Sequence, residues 1–521
     1  MANIVRYPVG MPVFEQIIEE NRRYVDKTEL IYRMTDTYKY VFLSRPRRFG
    51  KSLLVSTLRS YFEGRRELFS GLAIEQLEKN WTKHPVVHLS LASVKEKKPQ
   101  MINRQLSNVI ARIEKQFDFE VKEDEPFGDR LANLIINCYT KYGQQVVVLI
   151  DEYDAPLLNN LTDDTLDEVR NMLRALYAPL KDSLDYIRFI FITGISKFSQ
   201  LSIFSELNLL TNISMLPQYA TLCGVTEEEM ETTFSDGIDR LAEVYEISRE
   251  QMIAQLRQYY DGYCFAENSA KVYNPFSLVS AFANEKLDFY WFSTGTPTLL
   301  LKLLAKYQPD ITKLDGNMAK AAQFDAPTEK MTDVLPLFYQ SGYLTIKAYD
   351  RMRDIYTLGY PNEEVRYGIM ESLVPRYVTT APDVNTQITA DFIRYHLIEN
   401  KPDEAMRLLQ RFLKSIPYQE GTRHSEGHYT AMLYVVLMLV GIKTQTQVRT
   451  ADGRIDMLMT LPERNYVLEI KLDGTAREAL RQIESKDYEL AVSNTLPTTK
   501  VGINFSTETA TITEWIVNEN N

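Results

Sequence analysis

The chain has 521 residues, 45% of them hydrophobic and 25% charged, and a net charge of −11. That length points to three or four domains, and the composition is that of a folded globular protein. The acidic balance excludes a protein that coats nucleic acid non-specifically but leaves room for a local basic groove. The scattered cysteines Cys138, Cys223 and Cys264 form no ligand pair, so no zinc site is expected. The longest apolar run, residues 431–440, is too short to span a bilayer, and the N-terminus lacks a signal-peptide pattern. A cytoplasmic protein with no membrane partner is expected.

Residues 1–225 alternate strand-like and helix-like text, which predicts an α/β domain with a largely parallel sheet. The run 40–43 reads as a buried strand, and 52–62 as a helix stopped by Gly64. Between them lies Arg45-Pro46-Arg47-Arg48-Phe49-Gly50-Lys51-Ser52. It ends as a P-loop ends, but Arg45 stands where that pattern has its first glycine. In such a loop Gly50 and the helix start would face phosphates, Lys51 would neutralise the β- and γ-phosphates, and Ser52 would hold Mg²⁺. Arg45, Arg47 and Arg48 either touch phosphate or brace the loop against neighbouring acids.

Residues 85–91 form a second predicted strand. A third, 145–150, is a continuous Val/Ile/Leu run of the kind covered on both faces, and it ends in Asp151-Glu152. Acids at a strand's carboxyl end stand where α/β sheets place ligands. Asp151 would hold Mg²⁺ through water, and Glu152 would polarise the attacking water. A fourth strand, 187–192, leads to Thr193, which either senses the γ-phosphate or caps the strand. Residues 226–310 read as a helical lid, opened by a capping box at Thr226 and Glu229. Residues 311–378 read as helix, hairpin and helix. That order is either winged-helix-like or a plain connector.

Residues 379–521 carry a second constellation, in the order αβββαβ. Glu426 opens an apolar helix, and strands follow at 443–450, 455–459 and 466–471, with a turn at Asp452-Gly453. A helix from Thr475 to about Tyr488 precedes a last strand at 500–505. Strand alternation puts Glu469 and Lys471 on one face, and Asp456 on the neighbouring strand faces the same cleft. Two carboxylates and a lysine in this arrangement would hold hard cations and activate water against a phosphodiester. Glu426 is a further candidate metal ligand and Gln482 a candidate orienting residue. His424 and His428 are either ligands or structural.

These motifs resemble a bacterial family of AAA-like ATPases. The resemblance rests on residues 45–52, Leu149-Ile150-Asp151-Glu152-Tyr153-Asp154, Tyr260-Asp261-Gly262-Tyr263, Tyr273-Asn274-Pro275-Phe276-Ser277 and Tyr24-Val25-Asp26-Lys27-Thr28. Members of that family often carry a C-terminal nuclease-like domain of the PD-(D/E)xK superfamily. The segment 426–505 is similar to it, with Asp456 and Glu469-Ile470-Lys471 at the signature positions. The family's own loop has the Arg-Pro-Arg-Arg-Phe-Gly-Lys-Ser form, so the missing glycine is a family trait. The resemblance implies ATP and Mg²⁺ as cofactors, with Mn²⁺ an option at the second site. It further implies nucleic acid, DNA before RNA, as a partner, and a homo-oligomer in which a neighbour completes the ATP site. The expected activity is an ATPase coupled to a metal-dependent nuclease. The alternative is a nucleotide-switched scaffold that binds without cutting.

Overall fold

The computed structural model describes residues 6–161, 163–197, 209–294, 298–307, 309–327, 333–377, 392–414, 425–449, 453–486, 496–509 and 511–519. His424, Asp452 and Tyr488 lie outside the described residues. The chain divides into two compact units: Met1–Pro309 with Gly316–Glu364, and Asp310–Asp315 with Val365–Asn521.

In the first unit, β1 (Tyr40–Ser44), β2 (Val86–Ser90), β3 (Val146–Asp151), β4 (Ile187–Gly194) and β5 (Thr211–Asn212) form one parallel sheet in the order β2-β3-β4-β1-β5. Val146, Val147, Val148, Leu149 and Ile150 are all fully buried, as a strand covered on both faces must be. The order puts β4 between β1 and β3. The register then levels their carboxyl ends: Ser44 pairs with Gly194, Ile150 with Ile192, and Ser90 with Asp151. The loop after β1 and the acids after β3 therefore flank the end of β4 along one sheet edge.

Helix α1 (Lys51–Phe62) leaves β1 through the predicted loop. Residues 226–307 are mostly helical, and α2 (Glu227–Thr233) starts with the expected capping box of Thr226 and Glu229. Met230, Phe234, Ile238, Leu256 and Phe282 are among the side chains closing that block's own core. Next, α3 (Pro275–Asn284) is capped by Asn274, whose side chain accepts from Phe276 N and Ser277 N. The helix-then-hairpin order appears as α4 (Leu335–Gln340), β7 (Thr345–Asp350) and β8 (Ile355–Gly359). A third strand, β6 (Asn317–Ala319), pairs with β8. Its three residues, of which only Ala319 is buried, are too short for a periodic signal.

The second unit carries the predicted order of α5 (Glu426–Leu439), β9 (Lys443–Arg449), β10 (Arg454–Thr460), β11 (Asn465–Leu472), α6 (Ala476–Ser485) and β12 (Thr498–Ser506). The sheet order is β13-β12-β11-β10-β9; β11 and β12 run parallel and the other pairs antiparallel. Strand β13 (Thr511–Glu519) was not expected: it is an edge strand with a largely half-exposed, polar pattern. Gly502 allows the parallel crossover to close. A Cβ there would lie 2.2 Å from Ala476 O and 2.7 Å from Leu480 N, so only glycine lets α6 lie on β12.

Candidate functional site

The loop after β1 turns through two left-handed residues, Arg48 (φ 63°) and Gly50 (φ 84°). Arg45 is not among the left-handed residues, so its position makes no demand for glycine. At Gly50 a Cβ would meet nothing within 4 Å, which leaves open space over the start of α1. That helix start opens onto a cavity of about 660 Å³ lined by Arg47, Arg48, Gly50, Lys51, Ser52 and Glu152. Arg23, Lys27 and Lys95 also line it, against the acids Glu152 and Asp154. The cationic excess suits an anionic ligand.

Lys51 Nζ donates to Arg45 O (2.9 Å) and Pro46 O (2.8 Å), so the ammonium pins the loop's own carbonyls. Burial pushes its pKa down, and the carboxylates of Asp151 and Asp154 oppose that shift. Asp151 is buried, and its Oδ1 has no hydrogen-bond partner among the described residues. Asp151 stands behind the cavity wall, not on it; its orphaned carboxylate oxygen near Lys51 would reach Mg²⁺ only through water, and Ser52 on the wall would be the direct protein oxygen. Glu152 leaves β3 in a left-handed conformation (φ 52°), a strained state for a residue with a side chain. Burial and then the Asp151 charge raise its carboxyl pKa.

Two expected phosphate contacts need correction. The Arg45 guanidinium is 2% exposed and does not line the cavity. Its Nη1 donates to Ser44 O (2.9 Å) and Ser214 O (2.8 Å), and its Nη2 to Tyr219 O (3.1 Å); its Cζ lies 4.2 Å from the centroid of the Phe265 ring. Arg45 ties the loop to the segment after β5. It braces against carbonyls and an aromatic face, not against acids. Thr193 is fully buried, and its Oγ1 donates to Leu43 O (2.7 Å), fastening β4 to β1. That geometry is the structural strand-end role and not that of a phosphate sensor.

Trp291 and Gly342 support the loop without any local sequence signal. Trp291 Nε1 donates to Arg47 O (3.0 Å), and the Arg48 guanidinium lies 4.6 Å from the Phe276 ring centroid. Phe49 packs edge-on against Tyr263 at 4.6 Å. Gly342 makes its close approach to Pro46 possible, because a Cβ would sit 2.7 Å from that ring. The Tyr260–Tyr263 and Tyr273–Ser277 motifs thus grip the loop of residues 45–52 through Tyr263 and Phe276. Asp154 Oδ2 accepts from Ile195 N (3.0 Å), Ser196 N (2.6 Å) and Ser196 Oγ (2.5 Å), which fixes the turn after β4. Lys27 Nζ meets both Glu229 oxygens at 2.6 Å and so joins the N-terminal motif to the cap of α2.

In the second unit, a cleft of about 570 Å³ brings together Glu426, Asp456, Glu469, Lys471 and Gln482. The β10–β11 ladder runs from Thr460↔Asn465 to Met457↔Leu468. Asp456 and Glu469 occupy the next position, where Ile470 N donates to Asp456 Oδ2 (2.9 Å). Asp456 Oδ1 accepts from Gln447 Nε2 (3.1 Å). Gln447, which the sequence did not single out, is left-handed (φ 51°) within β9. Glu469 is 1% exposed, and its Oε2 has no partner among the described residues. Burial, and then the neighbouring Asp456 charge, push its carboxyl up to about 7, against the pull of Lys471. Lys471 Nζ donates to Gln482 Oε1 (2.7 Å) and lies 3.5 Å from Glu469 Oε1.

Glu426 lines this cleft, and burial followed by Asp456 raises its pKa. Even so, among the described residues no three His, Cys, Asp or Glu side chains converge closely enough to hold a metal. Asp456 and Glu469 are the neighbouring carboxylate pair of this cleft, with Glu426 on its wall. Such a pair still fits Mg²⁺, which takes one or two carboxylates and fills its remaining positions with water and substrate phosphate.

The folds and clefts define a class: a P-loop ATPase unit followed by a nuclease-superfamily unit. Residues 8–204 match the family described as Predicted AAA-ATPase, and residues 424–515 match the PD-(D/E)XK nuclease superfamily. An Azotobacter chroococcum mcd 1 protein, described as an uncharacterized protein in the vnfD 5' region, is 32% identical over 527 residues, covering 98% of this chain and 98% of that protein. The chain belongs to this family of bacterial AAA-ATPase-like proteins with a C-terminal PD-(D/E)XK domain. Among solved structures, Aeropyrum pernix ORC1 in complex with DNA is 10% identical with a TM-score of 0.26, covering 68% of this chain and 95% of that one. Drosophila ORC bound to poly(dA/dT) DNA and Cdc6 is 10% identical with a TM-score of 0.24, covering 82% and 64%. Among the described residues no helix is long and apolar enough to cross a membrane.

Proposed function

We propose that the chain binds and hydrolyses ATP in its first unit and cleaves phosphodiester bonds of DNA in its second. One observation carries this reading. Each site keeps a buried carboxylate oxygen without a partner among the described residues, Asp151 Oδ1 and Glu469 Oε2, near a lysine. A folded protein rarely leaves such an atom unmatched unless something else satisfies it. In the first unit Arg47, Arg48 and the α1 start orient the triphosphate, Lys51 moves from the loop carbonyls to phosphate, and Glu152 takes the proton of the attacking water. In the second, Asp456 and Glu469 hold a divalent cation, Mg²⁺ or Mn²⁺, which when bound supplies Lewis-acid polarisation of the phosphodiester. Gln447 and Ile470 N fix Asp456, and Gln482 holds Lys471 where charge develops on the phosphate.

The test has two arms. Phosphate release from ATP should fall at least about a hundredfold in Glu152→Gln, with ATP binding retained, and binding itself should fail in Lys51→Ala. Nicking of supercoiled plasmid should require Mg²⁺ or Mn²⁺ and vanish in Asp456→Ala. Failure of all metal-dependent nicking on DNA and RNA would leave a scaffold that binds without cutting. If Lys51→Ala cleaves DNA at the parent rate with no change in ATP response, the two activities are not coupled.

A further inference from the structure

Glu364 is fully buried in the first unit, in the first turn of the helix Glu363–Tyr377. Its Oε1 accepts from Trp291 N (2.6 Å), and both its oxygens face Ser277 Oγ (3.0 Å from Oε1 and 2.8 Å from Oε2). Phe292 N also donates to the carboxyl. Trp291 and Phe292 stand in the first turn of the helix Tyr290–Thr294, where N–H groups have no partner within the helix. Ser277 stands in the first turn of α3, next to Phe276. One carboxyl thus ties two helix starts together.

Both ties lead to the cavity over the start of α1. Trp291 Nε1 holds Arg47 O, and the Phe276 ring faces the Arg48 guanidinium. Arg47, Arg48, Phe276, Trp291 and Phe292 all line that cavity. Both arginines are exposed, and among the described residues neither guanidinium has an ion pair. Long exposed side chains are costly to order, so whatever fixes their bases strengthens their grip on an anion. Burial raises the Glu364 carboxyl pKa to about 8, against the pull of its donors, and Asp288 adds to the rise. Tyr260 and Tyr263 also face it. A buried acid is costly unless its polar atoms are matched, and here the matching is done by the two ties. The ties hold in either protonation state. Ionised, both oxygens accept; protonated, the O–H goes to Ser277 Oγ while the other oxygen accepts from Trp291 N.

We propose that Glu364 is a positioning residue for phosphate binding: its carboxyl, through Trp291 and Ser277, sets where Arg47 and Arg48 stand in the cavity. The proposal rests on the ATP reading of that cavity. It is tested on the full chain by calorimetric titration with Mg²⁺-ATP and, in parallel, with inorganic tripolyphosphate. Glu364→Met fills the space but cuts both ties, and should weaken ATP binding about tenfold. Glu364→Gln keeps an acceptor for Trp291 N and a donor for Ser277 Oγ, and should recover most of that loss. In an Arg47→Ala, Arg48→Ala background, Glu364→Met should change ATP affinity by less than about twofold, because the groups it positions are gone. Should Glu364→Met not fold, Ser277→Ala with Trp291→Phe cuts the same two ties and takes its place in the cycle. An undiminished affinity in Glu364→Met overturns the proposal. So does a loss of the same size without the two arginines, since Glu364 would then be structural only. Parent protein that binds tripolyphosphate but not ATP, with the same non-additivity, removes the ATP reading and leaves the positioning role. Parent protein that binds ATP with fully additive variants does the reverse. A parent that binds neither ends both.

Discussion

Glu469→Gln should stabilise the metal-free protein, and only on the alkaline side. The Glu469 carboxyl is buried, faces Asp456, and is held at about 7 where an ordinary glutamate sits at 4.5. In the unfolded chain it releases its proton near the ordinary value; in the fold it keeps it until about 7. Between those pH values the native state binds more protons than the unfolded one, so stability falls as pH rises, and above about 7 the full cost is in place. At 1.36 kcal/mol per pH unit the interval sets a ceiling of about 3 kcal/mol, and relaxation around the charge should leave about 1–2. Glutamine keeps the shape without the charge. In EDTA at pH 8, differential scanning fluorimetry should show Glu469→Gln melting about 2–6 °C above the parent. At pH 5 the two should nearly coincide. Mn²⁺ should raise the parent's melting temperature more at pH 8 than at pH 6 and leave the variant nearly unmoved. A variant less stable than the parent at pH 8, or a difference independent of pH, would refute the reasoning.

Three further outcomes follow from the same geometry. Arg45→Ala strands three carbonyls in the core and should lose about 3 kcal/mol or more of stability, read as a large fall in melting temperature with or without ATP. A folded variant with normal melting and lost ATP affinity would return Arg45 to the phosphate. Thr193→Val removes one buried hydrogen bond to Leu43 and should cost about 1 kcal/mol while ATP affinity and turnover stay within about twofold. A drop in turnover at unchanged melting temperature would instead make Thr193 a sensor. Gln447→Gly relieves a left-handed backbone but frees Asp456 Oδ1. Thermal stability should hold or rise, while calorimetric Mn²⁺ affinity should fall about tenfold or more.

Much of the two sites is local, which is why the sequence carried it. A phosphate loop is a strand, a tight turn and a helix start within about a dozen residues, and its acid partner ends a strand whose Val/Ile run announces burial on both faces. Asp456, Glu469 and Lys471 were placed by the period-two alternation of adjacent strands, which needs no knowledge of the rest of the chain. The short β6 and the polar edge strand β13 left no comparable pattern, because few of their side chains enter a core.

By itself, then, the sequence determined the two folds, most of their element order and the family to which the chain belongs. Tertiary structure alone decided which way the side chains of Arg45 and Thr193 point. Arg45 and Thr193 sit in motif positions, yet the levelled ends of β1 and β4 and the carbonyls after β5 offer them buried partners, and a buried donor takes the nearest acceptor. Glu426 opens its helix as expected, but its distance from Asp456 and Glu469 depends on how that helix packs. Trp291 on Arg47, Gln447 on Asp456 and Glu364 on Ser277 are contacts made by packing or by register. No local period encodes them, because each partner lies on a different element.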